Sequence, residues 1–464
     1  MRRFEIALVL VIGLAVVLPV LFGHRLRRGV MALLLGGAVV LQLVGEGPRW
    51  QMIPAYLAAA GLIVGDLLIE ERRIRGWPRL RRLLLGLPGV AALLVLPLAL
   101  PMVAIPEPTG PFPVGTTTFE LLDRGREEPY AGLRGRSRRI MVQVWYPAVL
   151  GEDDGVQQPW IDDLDVIGPA LTREFGFPGF FLGYTRFASA HAHPDAEPVG
   201  GTVPVVVYSH GWRGFRSIAL DQMESLASHG FMVIAIDHTH GSVATVFPDG
   251  TVAYLDPNAL PDEEVVGEEA YDRAANLLIE TYSEDQISVL DALELGPEGP
   301  FGRLAELADL ALVGVYGHST GGGAAVRTCI LDERCVAVAG LDAWVDPISR
   351  RELAREVPVP SMYLRSDGWR GTPNDGLLRG LAERSPASSY WLGVDGASHN
   401  DFVLPPSFSP VATRLGVKGP IPSETMQRIL DDYLVGFFRR NLFGFGGRVL
   451  DRPPPPEVDL EFIP

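Results

Sequence analysis

Several residue patterns in this chain have the types and spacing that acyl transfer requires. The first is Gly317-His318-Ser319-Thr320-Gly321, a G-x-S-x-G step between the apolar run Leu312-Val313-Gly314-Val315-Tyr316 and the small residues Gly322-Gly323-Ala324-Ala325. A strand that breaks into so tight a turn lifts the Ser319 hydroxyl clear of the sheet, and a side chain at either flanking glycine would clash. Ser319 then stands at a helix N-terminus, where the dipole and the Thr320 N–H stabilise negative charge. The second pattern is Ser209-His210-Gly211-Trp212-Arg213-Gly214, which follows the strand-like run Val203–Tyr208. Its glycine lets the backbone turn so that the Trp212 N–H points at a reacting carbonyl oxygen. The third is a carboxylate after Ser319. Asp342 follows the run Val336–Leu341, and Asp367 follows Pro360–Leu364. Asp346 and Asp395 lie in the same span, Asp395 too close in sequence to the next histidine to be an obvious partner. The fourth is His399, in Gly396-Ala397-Ser398-His399-Asn400-Asp401-Phe402 after the run Ser389–Val394. Serine, acid and histidine in this order can make a nucleophile, an orienting carboxylate and a general base. The residues alone leave the acid open between Asp342 and Asp367.

The elements that must position these groups alternate between strand and helix. Thr116–Leu122 and Arg139–Tyr146 alternate and are β-branched, and Val203–Tyr208 and Phe231–Ile236 are continuous apolar runs. Helices are expected over Ser217–His229, Leu277–Leu293 and Glu424–Asn441, the last with Ser423 as its cap. This pattern predicts an α/β-hydrolase fold, with a mostly parallel central sheet and helices on both faces. Residues 148–200 lack clear periodicity and carry Phe175-Gly176-Phe177-Pro178-Gly179-Phe180-Phe181. They read as an insertion covering the active site or as an ordinary surface loop. His238 and His240, in Asp237-His238-Thr239-His240-Gly241-Ser242, invite a metal reading. A zinc site takes three or four ligands, and no further His or Cys cluster is evident, so a structural loop beside the substrate is expected. The acidic stretch Asp262–Glu269 reads as a solvated loop, and Pro453–Pro456 as the end of the compact fold.

The chain has 464 residues, 47% of them hydrophobic, and a net charge of −16. Residues 1–106 carry twelve arginines against five acids, a net of +7, which leaves −23 for the rest. So acidic a remainder excludes a nucleic-acid binder. Lys418 is the only lysine, which reads as a compositional preference for arginine. Apolar runs at about Phe4–Phe22, Val30–Val44, Met52–Ile69 and Leu83–Ile105 predict an all-α transmembrane segment of about four helices over residues 1–106. The second run is short, Asp66 interrupts the third, and a signal peptide competes for the first. A rigid linker, Pro106-Glu107-Pro108-Thr109-Gly110-Pro111, then leads to a catalytic domain over 107–464. Arg25, Arg27, Arg28, Arg72, Arg73, Arg75, Arg79, Arg81 and Arg82 fall on one side of four spans, and Arg2, Arg3 and Arg49 on the other. The positive-inside rule puts the nine in the cytoplasm and the catalytic domain outside; three spans would reverse this. Outside the cytoplasm, Cys329 and Cys335 can pair, because five residues separate them across a helix-to-strand turn. Two buried free thiols are the other reading.

Together these pieces resemble the plasma-type platelet-activating factor acetylhydrolase family of serine esterases, the lipoprotein-associated phospholipase A2 group. The resemblance rests on Tyr208-Ser209-His210-Gly211, Asp237-His238-Thr239-His240-Gly241-Ser242, Gly317-His318-Ser319, Leu341-Asp342-Ala343-Trp344 and Ser398-His399-Asn400-Asp401-Phe402, and spans about residues 110–445. It implies Ser319 as nucleophile, Asp342 and His399 as its partners, and Trp212 and Thr320 as oxyanion donors. It points to short-acyl or oxidised phospholipid-type esters as substrates; acyl transfer by these residues needs no cofactor, and no metal is expected. That family typically has an aliphatic residue where Trp212 stands and a larger one where Thr320 stands, so acyl preference is open. The membrane segment lies outside the resemblance and makes a lipid ester near a bilayer a reasonable partner. A polyester or xenobiotic-ester hydrolase of the same fold and a non-catalytic membrane binding protein are the competing functions. Oligomeric state is not legible.

Overall fold

The computed structural model describes residues 1–21, 29–68, 79–151, 155 and 157–464. The chain divides into two compact units. One comprises Met1–Ala104 with the short segments Phe181–Phe187 and Phe408–Ala412; the other comprises Ile105–Phe180, Ala188–Ser407 and Thr413–Pro464.

Among the described residues the first unit holds four apolar helices, α1 (Arg3–Leu21), α2 (Val30–Gly45), α3 (Ile53–Leu68) and α4 (Arg79–Ala99). Among the described residues two windows, Arg3–Val20 and Trp50–Leu67, are long and apolar enough to cross a membrane. Val30–Gly45 and Gly86–Ala99 are shorter, so the expected count of four full spans is reduced to two by length and composition. Arginines occupy the first turn of α4 and prolines 88 and 97 its interior, which leaves a short apolar stretch. Asp66 accepts the Gly29 N–H at 3.0 Å, and so serves the start of α2.

The second unit begins with the long strands β1 (Val114–Glu127) and β2 (Ser137–Val149), followed by α5 (Leu164–Glu174) and the two-residue strands β3 (His193–Pro194) and β4 (Glu197–Pro198). Next come β5 (Val203–Ser209), α6 (Leu220–Ser228), β6 (Met232–Asp237) and the hairpin β7 (Ala244–Val246) and β8 (Val252–Tyr254). Then follow α7 (Glu263–Val266), α8 (Glu268–Glu294), β9 (Ala308–His318), α9 (Thr320–Leu331) and β10 (Cys335–Leu341). The chain closes with α10 (Arg350–Leu353), β11 (Ser361–Arg365), α11 (Pro373–Arg384), β12 (Ser389–Val394), α12 (Ser423–Leu442) and β13 (Val458–Ile463).

The main sheet runs β13-β12-β11-β10-β9-β5-β6-β2-β1-β3, with β4 on β2. The strands from β12 to β6 are mutually parallel, while β2, β1 and β13 add antiparallel edges. Continuous apolar runs form the parallel strands because both sheet faces are covered. Val205 and Val207 of β5 join the core that includes Ile279 and Leu290 of α8 and Val326 of α9. Tyr208 turns the other way, onto Tyr316 at 4.8 Å, which meets Phe438 of α12 at 5.9 Å. Cys329 and Cys335 are bonded across the α9–β10 turn, with Cα atoms 5.2 Å apart.

Three further expectations change in the second unit. Pro453–Pro456 does not end the fold: the chain returns as β13, antiparallel to β12 in an unbroken register from Val394↔Val458 to Ser389↔Ile463. The acidic stretch is helical, because Asp262 caps α7 through the Glu264 N–H and the acids of α8 fall in its favourable first turn. Ser423 lies inside α12; Pro422 is its N-cap, with no side-chain cap bond.

Candidate active site

The loops after β5, β9, β10 and β12 all leave the carboxyl edge of the parallel strands, the side where α/β sheets build sites. Ser319 sits between β9 and α9 with φ 56° and ψ −120°, a strained conformation for a residue with a side chain. The flanking glycines are required: a Cβ on Gly317 would strike the Gly321 backbone, and one on Gly321 would strike the Ser209 carbonyl. The helix it caps has its first bond from the Gly323 N–H to the Ser319 carbonyl, at 3.0 Å.

Asp342 is fully buried at the end of β10, with φ 44°. Its Oδ1 accepts the Ser366 N–H at 2.8 Å and its Oδ2 the Ser366 hydroxyl at 2.6 Å. His399 Nδ1 donates to the same Oδ2 at 2.9 Å. That tautomer leaves Nε2 unprotonated and free to act as a base. Asp367 is engaged elsewhere: it is half exposed and its Oδ2 accepts the Gly396 N–H at 2.8 Å. Asp395 pairs with Arg370 at 2.8 Å on the surface.

The His399 imidazole is packed as well as bonded. Trp369 stacks on it, with centroids 4.9 Å apart and planes 9° from parallel. His318 lies 4.4 Å away and donates Nε2–H to the His399 carbonyl at 2.9 Å. Burial first, then the neighbouring His399, push the His318 imidazole well below its ordinary range, so it stays neutral beside the His399 ring.

The loop after β5 lies against the elbow. A Cβ on Gly211 would come within 3.1 Å of the Ser319 Cβ. Neither the Trp212 nor the Thr320 backbone N–H has a protein acceptor among the described residues. The Trp212 ring packs on the cluster of Tyr130, Leu278, Tyr282 and Ala324. Arg216 anchors the far end of this loop: its N–H and guanidinium both reach Asp237, at 2.7 and 2.6 Å, and the guanidinium also meets Gln143 and Asp162. Trp160, in the 148–200 stretch, donates to the Ser217 carbonyl at 2.9 Å, so part of that stretch braces the same loop.

The two histidine motifs serve this scaffold. His210 Nδ1 donates to the Gly211 carbonyl at 2.7 Å, and Nε2 accepts from Ser242 at 2.8 Å. His238 donates Nδ1–H to Asp285 and accepts from Ser209, both at 2.9 Å, while Tyr282 stacks on its face at 3.7 Å. His240 is turned onto the Tyr254 carbonyl at 2.9 Å. Both nitrogens of His238 are thus spent on protein partners. Burial pushes its imidazole down to about 3, against the opposing pull of Asp285. Arg138 holds Asp285 ionised with bonds of 3.1 and 2.7 Å.

The model of the family described as "Platelet-activating factor acetylhydrolase, isoform II" matches residues 99–264 and 288–444. The chain belongs to this family. Among relatives, the platelet-activating factor acetylhydrolase of Cavia porcellus is 25% identical over 361 residues, covering 73% of this chain and 78% of its own. A probable 1-alkyl-2-acetylglycerophosphocholine esterase of Arthroderma benhamiae is 24% identical over 396 residues, covering 77% and 93%. A ferulic acid esterase from Streptomyces cinnamoneus superposes with a TM-score of 0.62 at 25% identity, over 77% of this chain and 98% of that one. The chain is accordingly an ester hydrolase with an α/β fold. Of the residues the sequence singled out, Asp342 and His399 are bonded and Gly211 meets Ser319. Ser366 and Trp369 carry no sequence signal, since one loop brings both to the site after β11.

Proposed function

We propose that this chain is a membrane-anchored serine ester hydrolase for short-acyl or oxidised phospholipid-type esters. The observation that carries the reading is the His399–Asp342 bond of 2.9 Å, on a histidine whose carbonyl is bonded by His318, the residue before Ser319, at 2.9 Å. His399 Nε2 takes the Ser319 proton as the hydroxyl oxygen attacks the ester carbonyl. Asp342 stays ionised, fixes the tautomer and stabilises the imidazolium. The Trp212 and Thr320 N–H groups receive the oxyanion, each worth roughly 2.7–4 kcal/mol. Protonation of the leaving alkoxide by His399 gives an acyl-enzyme on Ser319, and water activated by His399 releases the acid. No cofactor enters these steps. The membrane part of the reading rests on the helices Arg3–Leu21 and Ile53–Leu68, and the lipid part on the names of the relatives.

Ser319→Ala in the full chain should lower kcat on the order of a million-fold with the fold retained. Near-normal turnover in that variant would sink the assignment. The likeness to a ferulic acid esterase favours a second reading, an aromatic or other xenobiotic ester as substrate. Turnover of acetylated phospholipids, long-chain phospholipids and feruloyl esters by one preparation separates the two.

A further inference from the structure

The chain's only lysine is buried beside the loop that carries His399. Lys418 Nζ donates to the Gly419 carbonyl at 3.0 Å and to the Ile421 carbonyl, and lies 3.3 Å from Asp401 Oδ1. Asp401 is buried too. Its other oxygen, Oδ2, accepts the Ser398 N–H and the Ser398 hydroxyl, both at 2.8 Å, and the Gly419 N–H at 2.7 Å. Two further bonds join the same stretches: the Ile421 N–H to the Gly396 carbonyl at 3.0 Å, and the Asn400 amide to the Val417 carbonyl at 3.1 Å. The approach is so close that a Cβ on Gly419 would strike the Gly396 carbonyl. Residues 417–421 therefore form a strap laid flush along residues 396–401.

His399 lies inside the strapped stretch, directly after Ser398. Its ring is 34% exposed, and a 2.9 Å bond to Asp342 and the stack on Trp369 orient it. Those contacts hold the ring; the strap holds the backbone that carries it. A lysine suits the place. Its compact ammonium directs three donors tetrahedrally from one atom, which fits two carbonyls and a carboxylate converging in a small space. A guanidinium is planar and wider, and cannot direct its donors that way. A chain with arginine at its other 39 basic positions keeps lysine here.

We propose that Lys418, acting through Asp401 and Ser398, is a positioning residue for His399. The proposal rests on the reading of His399 as general base. A base displaced by about 1 Å costs on the order of 100-fold in rate.

The test uses the full chain and counts working sites by stoichiometric labelling of Ser319 with a fluorophosphonate. Lys418→Met should lower kcat per labelled site by about 100-fold with KM little changed, and Lys418→Arg should not restore it. Thr413→Ala removes a 3.0 Å bond to the same Gly419 carbonyl without touching Asp401, and should stay near wild type. If Lys418→Met does not fold, Ser398→Ala carries the test, because it deletes only the hydroxyl given to Asp401. A smaller but clear fall in kcat per site, at unchanged KM, is expected there. Wild-type kcat per labelled site in Lys418→Met, or in Ser398→Ala where that variant stands in, with only the melting temperature lowered, would reduce the lysine to a structural role and overturn the proposal. Failure of the phosphonate to label wild-type Ser319 would instead overturn the catalytic reading itself.

Discussion

Asp342 and Asp367 both follow a strand and both precede His399, yet their surroundings differ completely. Asp342 is buried, with both oxygens bonded to Ser366 and one also to His399. Asp367 is spent on a turn. Asp342→Asn should therefore cut turnover by roughly four orders of magnitude, because the amide favours the wrong imidazole tautomer. Asp367→Asn should cost far less on the same chromogenic ester, and the reverse ranking would move the acid to the later strand. Glu224 carries a different prediction. Burial pushes its carboxyl up to about 8, against the His191 and Ala192 N–H groups that it accepts at 2.7 Å. The folded state therefore holds a proton that the unfolded chain releases near the ordinary glutamate range. Its contribution to stability is complete below that range and is lost as pH rises through about 8. Glu224→Gln mimics the protonated form and should melt progressively higher than wild type as pH goes from 5 to 9. A difference independent of pH would show that Glu224 does not titrate in this way.

At the scale of elements, what was legible is what has a steric cause. The elbow is readable because Gly317 and Gly321 stand where a Cβ would strike backbone, and the parallel strands because burial on both faces demands unbroken apolar runs. The strap is not readable: residues 417–421 have no periodicity, and the lone lysine passes for composition until its partners are seen. Strand β13 was hidden by the prolines before it and by an acidic outer face. Glu461 there meets Arg379 at 2.6 Å, Phe462 packs on Tyr390 at 5.3 Å, and Val458 and Ile463 are buried. Deleting residues 453–464 removes those contacts and bares the edge of β12. At about 1.5–3 kcal/mol for each buried aliphatic side chain, the loss should reach several kcal/mol, and the bared edge should promote aggregation. Urea unfolding and light scattering check this; a truncated chain as stable and as monodisperse as the parent would mean β13 is dispensable.

At the scale of the whole chain, the proposed membrane anchor implies a side for the hydrolase, and one buried cluster of the helical unit bears on that proposal. Arg49 sits between α2 and α3, and its guanidinium bonds Glu5 of α1 at 2.6 and 3.0 Å and the Leu100 carbonyl at 3.2 Å. Arg2 joins Glu5 at 2.9 Å and Glu46, at the end of α2, at 3.7 Å. The start of α1, the turn between α2 and α3, and the residue after α4 therefore meet at one end of the unit. Within this unit the last helix therefore ends where the first one begins. Arg2 and Arg49 are also neutralised at that end by Glu5 and Glu46. Arg25, Arg27, Arg28, Arg72, Arg73 and Arg75, which carry most of the remaining arginine excess, lie outside the described residues. On the proposed membrane-anchored reading, the positive-inside rule would put residues 105–464 outside the cytoplasm, an environment that preserves a bond such as Cys329–Cys335. A C-terminal alkaline phosphatase fusion should thus be active and a C-terminal green fluorescent protein fusion dark, and Cys329 and Cys335 should resist alkylation until reduced. Bright fluorescence with an inactive phosphatase would place the hydrolase in the cytoplasm and reverse the topology.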